Sequence, residues 1–168
     1  MNWDAIGATG EWAGAIAVVA TLGYLAVQIR QNASSMRSSA ELEASRQFTA
    51  LVTRVSGDRE LQRIWDEVIE EQALSLEDHR QWLFHMAEIF HLSEGIFTQY
   101  RKGFLSIETW SEYERLMVGC LQSSVAKEWW ESGNGPFSSE FRAHVESLLT
   151  VEPTWTLPST RAMRGNDA

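Results

Sequence analysis

One segment of the chain carries residues whose types and spacing could bind a metal ion. The string HMAEIFH contains His85, Glu88 and His91. A Glu and a His three residues apart point to one side of a helix, and di-iron helical bundles use two such pairs together with two further Glu. This chain has the pair once, and its two His lie about 120° apart around a helix. We expect hydrogen-bonded or exposed histidines, with a metal-binding helical-bundle enzyme as the second alternative function.

Other patterns of catalysis are missing from the sequence. Cys120 lies on an apolar stripe, where it reads as a small buried hydrophobe. There is no Gly-x-Ser-x-Gly nucleophile elbow, and the turn at 132–136 lacks the Lys-Ser/Thr of a P-loop. We therefore expect no catalytic residue, no cofactor and no enzymatic activity.

Composition excludes two classes of protein. Fourteen Lys and Arg stand against 23 Asp and Glu, which gives a formal charge of -9 and a pI near 4.9. So acidic a chain repels the phosphates of nucleic acid, and we expect no nucleic-acid partner. A single Cys excludes an intrachain disulfide framework. The length of 168 residues fits one ordinary domain.

An uncharged run near the amino terminus predicts a membrane span. Residues 12–29, WAGAIAVVATLGYLAVQI, contain no Asp, Glu, Lys or Arg. A helix of this length rises about 27 Å, close to the hydrocarbon thickness of a bilayer. Trp12 and Tyr24 are ring types that anchor at membrane interfaces, and Arg30 ends the run. Residues 1–31 should form a retained anchor, and a central helix of a soluble bundle is the alternative.

The basic residues predict how the anchor is oriented. Arg30, Arg37 and Arg46 follow the span, whereas Asp4 and Glu11 precede it. Basic residues stay on the cytoplasmic side, so we expect a protein of the bacterial inner membrane with its amino terminus outside. The residues after the span comprise 21 acidic and 14 basic side chains, about -7 in total. That charge should keep the cytoplasmic domain away from anionic lipid.

Small residues recur four apart along two neighbouring rows of the span, Thr9, Ala13, Ala17, Thr21 in one and Gly10, Gly14 in the other. Such rows let helix backbones approach closely in lipid, so we expect self-association or association with another membrane protein. In an oligomer, the Glu11 side chains would form a ring at the outer mouth, as in cation pathways. A homo-oligomeric channel or sensor is thus the first alternative function. The competing interpretation of Glu11 is a carboxylate that reaches the interface alone.

The remainder of the chain, 32–151, predicts a cytoplasmic all-α bundle of about five helices. Its apolar residues recur at helical spacing, first over about 33–55, as a continuation of the anchor helix or a successor to it. Asp58, Ser75 and Ser106 are the expected N-caps of three further helices. The last amphipathic helix is expected to carry Phe137, Phe141, Val145 and Leu148. The Pro- and Ser-containing residues 152–168 should form a flexible tail.

Tryptophan is the most informative residue type in this bundle. Trp65, Trp82 and Trp110 fall on apolar stripes and should fill the core, each with a partner for its indole N–H. Trp129 and Trp130 are neighbours that point about 100° apart on a helix, so one helix face cannot bury both. One of the two rings is expected at an interface, and packing under the following loop is the alternative.

Three segments carry a resemblance to known sequences. They are LGYLAVQIRQN at 22–32, FTQYRKGFLSIETW at 97–110, and the Trp129-Trp130 pair followed by FSSEF at 137–141. In these segments the chain resembles a group of uncharacterised bacterial proteins with an N-terminal single-pass membrane anchor and a helical cytoplasmic domain. The resemblance covers most of the chain apart from the tail, and it implies that anchor and body form one recurring unit. We therefore expect a single-pass inner-membrane protein with a non-catalytic interaction, scaffold or accessory-subunit role.

Overall fold

The computed structural model describes residues 3–133 and 135–150, and the side chains of these residues other than those of 3–10 and 13. No strand occurs in these ranges, which confirms the all-α class. The predicted tail at 152–168 lies outside the described residues, as do the surroundings of Gly10 and Ala13. The described helices are α1 (Trp3–Gly57), α2 (Arg59–Ile69), α3 (Leu76–Arg101), α4 (Ile107–Cys120), α5 (Ser124–Glu131) and α6 (Ser139–Leu148).

Helix α1 belongs to two compact units of the chain, one that ends at Ser39 and one that begins at Ala40. Residues 33–55 were predicted either to continue the anchor helix or to form a separate helix after it. The structure shows that they continue it, because α1 is uninterrupted to Gly57. Within the second unit, α1 presents a single apolar stripe to the core. Its members recur every three or four residues, as Ala40, Ala44, Phe48, Leu51 and Val55.

The three predicted N-caps are confirmed. The Asp58 carboxylate accepts hydrogen bonds from the backbone N–H groups of Glu60 and Leu61 at the start of α2. Ser75 Oγ accepts from the N–H of Asp78, at 3.1 Å, and Ser106 Oγ caps α4 in the same way. These caps are local because a side chain satisfies an N–H two or three residues ahead of it, which is why sequence spacing reveals them.

A second kind of cap joins elements that are far apart in the sequence. Helices α4, α5 and α6 each have, at or next to their N-cap, a serine whose backbone N–H donates to a glutamate carboxylate from an earlier part of the chain. The pairs are Ser106 with Glu41 at 2.6 Å, Ser124 with Glu71 at 2.9 Å, and Ser138 with Glu94 at 2.7 Å. Each carboxylate meets the positive end of a helix dipole and fixes where that helix begins.

Helix α3 organises the core of the second unit, since it packs against both α2 and α4. One face of α3 is buried, including Trp82, Met86 and Phe90. Gly103 ends this helix in a left-handed conformation with φ of 75°, which most residues adopt only with strain.

Two expectations about aromatic residues are wrong. Phe137 is not part of the last helix, because α6 begins only at Ser139, and its ring packs from the preceding turn onto Trp130. Trp65, Trp82 and Trp110 are buried as expected, yet no atom of the described residues accepts a hydrogen bond from their indole Nε1. Other aromatic rings pack against each of these rings, so burial of the large ring outweighs the unsatisfied donor.

Candidate functional site

Among the described residues, one helix is long and apolar enough to cross a membrane, by length and composition. It is α1, and no part of its most apolar 18-residue window is buried. The large apolar side chains exposed between 12 and 29 are Trp12, Ile16, Val18, Val19, Leu22, Tyr24, Leu25, Val27 and Ile29. Soluble monomers rarely expose so continuous an apolar surface.

These exposed side chains surround the helix instead of forming a stripe. Because consecutive residues are about 100° apart, Ile16, Val18 and Val19 already point in three different directions. An apolar surface on every side is typical of a fully buried or membrane-spanning helix, whereas a helix at the surface of a soluble core has one apolar face. At 40–55 the same helix packs one apolar stripe on the core of the second unit.

The described members of the predicted packing rows, Gly14, Ala17 and Thr21, are open in this single chain. A Cβ added at Gly14 would meet no atom within 4 Å, so the backbone there is accessible to another helix. Ala17 is exposed, and its carbonyl accepts a hydrogen bond from Thr21 Oγ1 at 2.8 Å. Glu11 is exposed at the amino-terminal end of the uncharged run, and Arg30 is exposed at the other end.

The metal-ligating candidates do not come together. His85 Nδ1 lies 3.4 Å from Glu88 Oε2, whereas His91 Nδ1 lies 4.0 Å from a different carboxylate, that of Glu94. Glu88 itself forms an ion pair with Arg54 of α1. Within 3–133 and 135–150, no group of three His, Cys, Asp or Glu side chains is arranged to hold a metal ion. The geometry therefore supports a structural role for Glu88.

His85 is held in the core as a neutral ring. Burial lowers the pKa of its imidazole, and this effect outweighs the nearby Glu88 carboxylate, which favours the proton. The ring lies edge-to-face with Trp65, with 5.8 Å between the centroids. Its Nε2 atom has no hydrogen-bond partner in the described part of the chain. A proton on this ring would be poorly solvated, so acid should destabilise the fold here.

The rings of Trp129 and Trp130 both contact Phe137 in the loop after α5, as in the alternative in which they pack under the following loop. Trp130 is 3% exposed and stacks on Phe137, with 5.4 Å between centroids. The Arg142 guanidinium lies over the Trp130 ring, 4.7 Å from its centroid. Trp129 is half-buried and meets Phe90 edge-to-face at 5.2 Å. Part of the Trp129 ring stays accessible, and an interface role for it remains a prediction.

A cavity of about 250 Å³ lies between α2, α3 and α4. Helix α2 contributes Trp65 and Val68 to its wall, α3 contributes Trp82, and α4 contributes Cys120. All four are buried. Exposed Glu71, which follows α2, lies at the mouth. Burial raises the pKa of the Cys120 thiol, which keeps it protonated and unreactive.

No family model, no curated protein and no solved structure matches this chain.

The cavity is the feature that sequence reasoning missed. Trp65, Trp82 and Cys120 were each correctly predicted to be buried, but burial on a stripe does not tell whether neighbouring stripes fill the space between them. No local pattern in the sequence signals such a space, because its walls come from three different helices.

Proposed function

We propose that this chain is a single-pass protein of the bacterial inner membrane whose helical body has a non-catalytic interaction, scaffold or accessory-subunit role. One observation supports it most. Helix α1 is apolar and exposed on every side over 12–29, yet has a single core-facing stripe over 40–55. Such a change of character within one helix suits a segment in lipid followed by a segment packed on protein.

Membrane insertion is tested by placing a charge at the middle of the span. Val19 is exposed there, and Arg at the centre of a spanning helix disfavours insertion by about 2.5–3.5 kcal/mol. Val19→Arg should lower the fraction of full-length protein that stays with membranes after alkaline carbonate extraction. Met36→Arg is the matched control, because Met36 is an exposed apolar residue of α1 beyond the span. Wild-type protein in the soluble fraction would contradict the anchor.

Orientation is tested with one introduced thiol on each side of the span. Glu11 and Ser38 are both exposed, whereas the native thiol of Cys120 is buried and stays silent. On intact spheroplasts, a membrane-impermeant maleimide should label Glu11→Cys and leave Ser38→Cys unlabelled. Labelling of Ser38→Cys alone would reverse the orientation inferred from Arg30, Arg37 and Arg46.

The interaction role rests on apolar side chains that the body leaves exposed. Leu76 and Phe84 are exposed on α3, outside the core of the second unit. We expect a protein partner, or a second copy, to cover this surface. Phe84→Ser should then reduce the amount of partner or the size of the oligomer that co-purifies with the full chain. Ile107→Ser, at an exposed apolar position of α4, should leave both unchanged.

The alternative function is a homo-oligomeric channel or sensor, in which copies of the helix would pack where the backbone is open at Gly14. If copies pack along this row, Gly14→Leu should dissociate the purified oligomer, because the added side chain separates the helices. A channel would also conduct in planar bilayers, with an ion preference that Glu11→Gln alters. A stable oligomer that carries no current would favour the scaffold role.

A further inference from the structure

We propose that a second copy of this chain docks on the face of α1 that points away from the core, in a parallel coiled coil that buries Leu42 and Val52. This docking deepens the proposed interaction role and rests on it, because copies inserted into one membrane in the same direction lie parallel. A second copy of the chain is then one partner of the body.

Helix α1 leaves a second face uncovered within the second unit. Leu42 and Val52 are 53% and 54% exposed, respectively. Ser45 and Thr49, which lie between them in sequence, are also exposed. At 100° per residue, these four positions centre about 120° around the helix from the core-facing stripe at 40–55. A second helix can therefore pack on them while α1 keeps its contacts with the core.

The spacing of this face is that of a coiled coil. Leu42 and Thr49 are seven residues apart, which places both at position a of a seven-residue repeat. Ser45 and Val52 follow them by three residues and occupy position d. Six of the residues at 30–54 are charged, and none of them falls at a or d. An uncharged seam with charged residues beside it is the pattern on which two helices pack.

The charged residues beside the seam complement each other. Glu41 lies at position g, and Arg46 lies at position e of the next heptad. In a parallel pair these two positions face each other across the seam, and two-fold symmetry makes the contact twice. Arg46 is exposed, and no ion pair within the described residues involves it. Glu41 accepts hydrogen bonds from Ser106 and Thr109, but a carboxylate accepts about four and can also bind Arg46 of the other copy.

The same seven-residue count continues back into the uncharged run. It places Gly14 and Thr21 at position a and Ala17 at position d. A Cβ at Gly14 would meet nothing within 4 Å, and Ala17 and Thr21 are exposed. Confinement of two copies to one membrane raises their effective concentration, so a seam with few large apolar residues can hold them together.

Disulfide crosslinking in isolated membranes tests the seam. Leu42→Cys and Thr49→Cys should each form an intermolecular disulfide on mild oxidation of the full chain, because only a parallel pair in register brings both positions together with their copies. Ala50→Cys, at an exposed position outside the seam, should stay monomeric, and the native thiol of Cys120 is buried.

The outcomes separate the docking from the anchor. Equal crosslinking at all three positions, or none in protein that sediments with membranes, would overturn the docking and leave the anchor intact. Crosslinking confined to the seam in protein from the soluble fraction would support the docking and contradict the anchor.

Charge variants test the same surface through the strength of association. The measurement is energy transfer between copies labelled at the amino terminus, in phosphatidylcholine vesicles at a series of protein-to-lipid ratios. Thr49→Glu places like charges at facing positions and should weaken association about tenfold, whereas Ala50→Glu adds the same charge outside the seam and should not. Arg46→Glu should also weaken it, since it would face Glu41, and Arg46→Lys should preserve it. Equal association of the Thr49→Glu and Ala50→Glu variants would overturn the proposal.

Discussion

Glu94 of α3 accepts a hydrogen bond from the backbone N–H of Ser138 at 2.7 Å, which ties the middle of α3 to the first turn of α6. The carboxylate satisfies an N–H group that has no partner within its own helix, and it does so across 44 positions of sequence. Glu41 and Glu71 do the same for α4 and α5, so three of the six described helices have their starts fixed by a distant acid.

Removal of the Glu94 carboxylate should destabilise the body by about 1–2 kcal/mol, because a charge-assisted hydrogen bond is lost and the Ser138 N–H is left unpaired. Glu94→Ala tests this through chemical unfolding of the solubilised full chain. Glu112→Ala serves as the control, since Glu112 is exposed on α4. Equal unfolding free energies for the two variants would show that the Glu94 contact contributes little.

Acid should destabilise the body through His85. Burial lowers the pKa of His85 in the folded state below its ordinary value of 6.5, so the unfolded chain binds a proton more readily. The free energy of unfolding is then highest above about pH 6.5 and falls as the pH drops towards the lowered pKa. The surroundings of the His85 ring include Glu88, Arg54 and Trp65, which belong to three different helices. The acid sensitivity therefore depends on the tertiary structure.

The variant His85→Gln should lose this dependence below about pH 6.5, as measured by unfolding at a series of pH values. His91→Gln should retain it, because 46% of the His91 side chain is exposed. A wild-type profile in His85→Gln would assign the acid sensitivity to other groups.

The Tyr113 hydroxyl joins α4 to α1 by donating a hydrogen bond to the carbonyl of Ala44 at 2.7 Å. Burial raises the pKa of Tyr113 to about 12, so the hydroxyl remains a donor at all physiological pH values. Tyr113→Phe should cost about 1–1.5 kcal/mol of unfolding free energy. Tyr100→Phe, at a half-buried ring that stacks on Trp110, should cost less, and thermal unfolding of both variants compares them.

Gly135 and Gly95 should respond in opposite ways to alanine. A Cβ at Gly135 would lie 2.1 Å from Cε2 of Phe137, so Gly135→Ala must displace the ring that stacks on Trp130 and should cost about 1–3 kcal/mol. At Gly95, within α3, a Cβ would meet nothing within 4 Å, and Gly95→Ala should stabilise by up to about 1 kcal/mol. Melting temperatures that move in the same direction would contradict this.

Local features of this chain could be predicted from its sequence. The caps at Asp58, Ser75 and Ser106 follow from spacing, because each side chain contacts an N–H only two or three residues away. Helical periodicity likewise predicted the core positions of Trp82 and Trp110. The position of Phe137 was mispredicted since it shares the apolar spacing of α6 while lying in the turn before Ser138.

The sequence by itself determined the all-α class, the N-caps Asp58, Ser75 and Ser106 and the uncharged run at 12–29, since these depend on neighbours within one or two turns of a helix. Only the tertiary structure decided the rest. It paired Glu41, Glu71 and Glu94 with helices 44 to 65 positions away, left the indole donors of Trp65 and Trp82 without partners, and opened a cavity beside them. These features arise where surfaces of different helices meet, and how well such surfaces fill space depends on side chains that are distant in sequence.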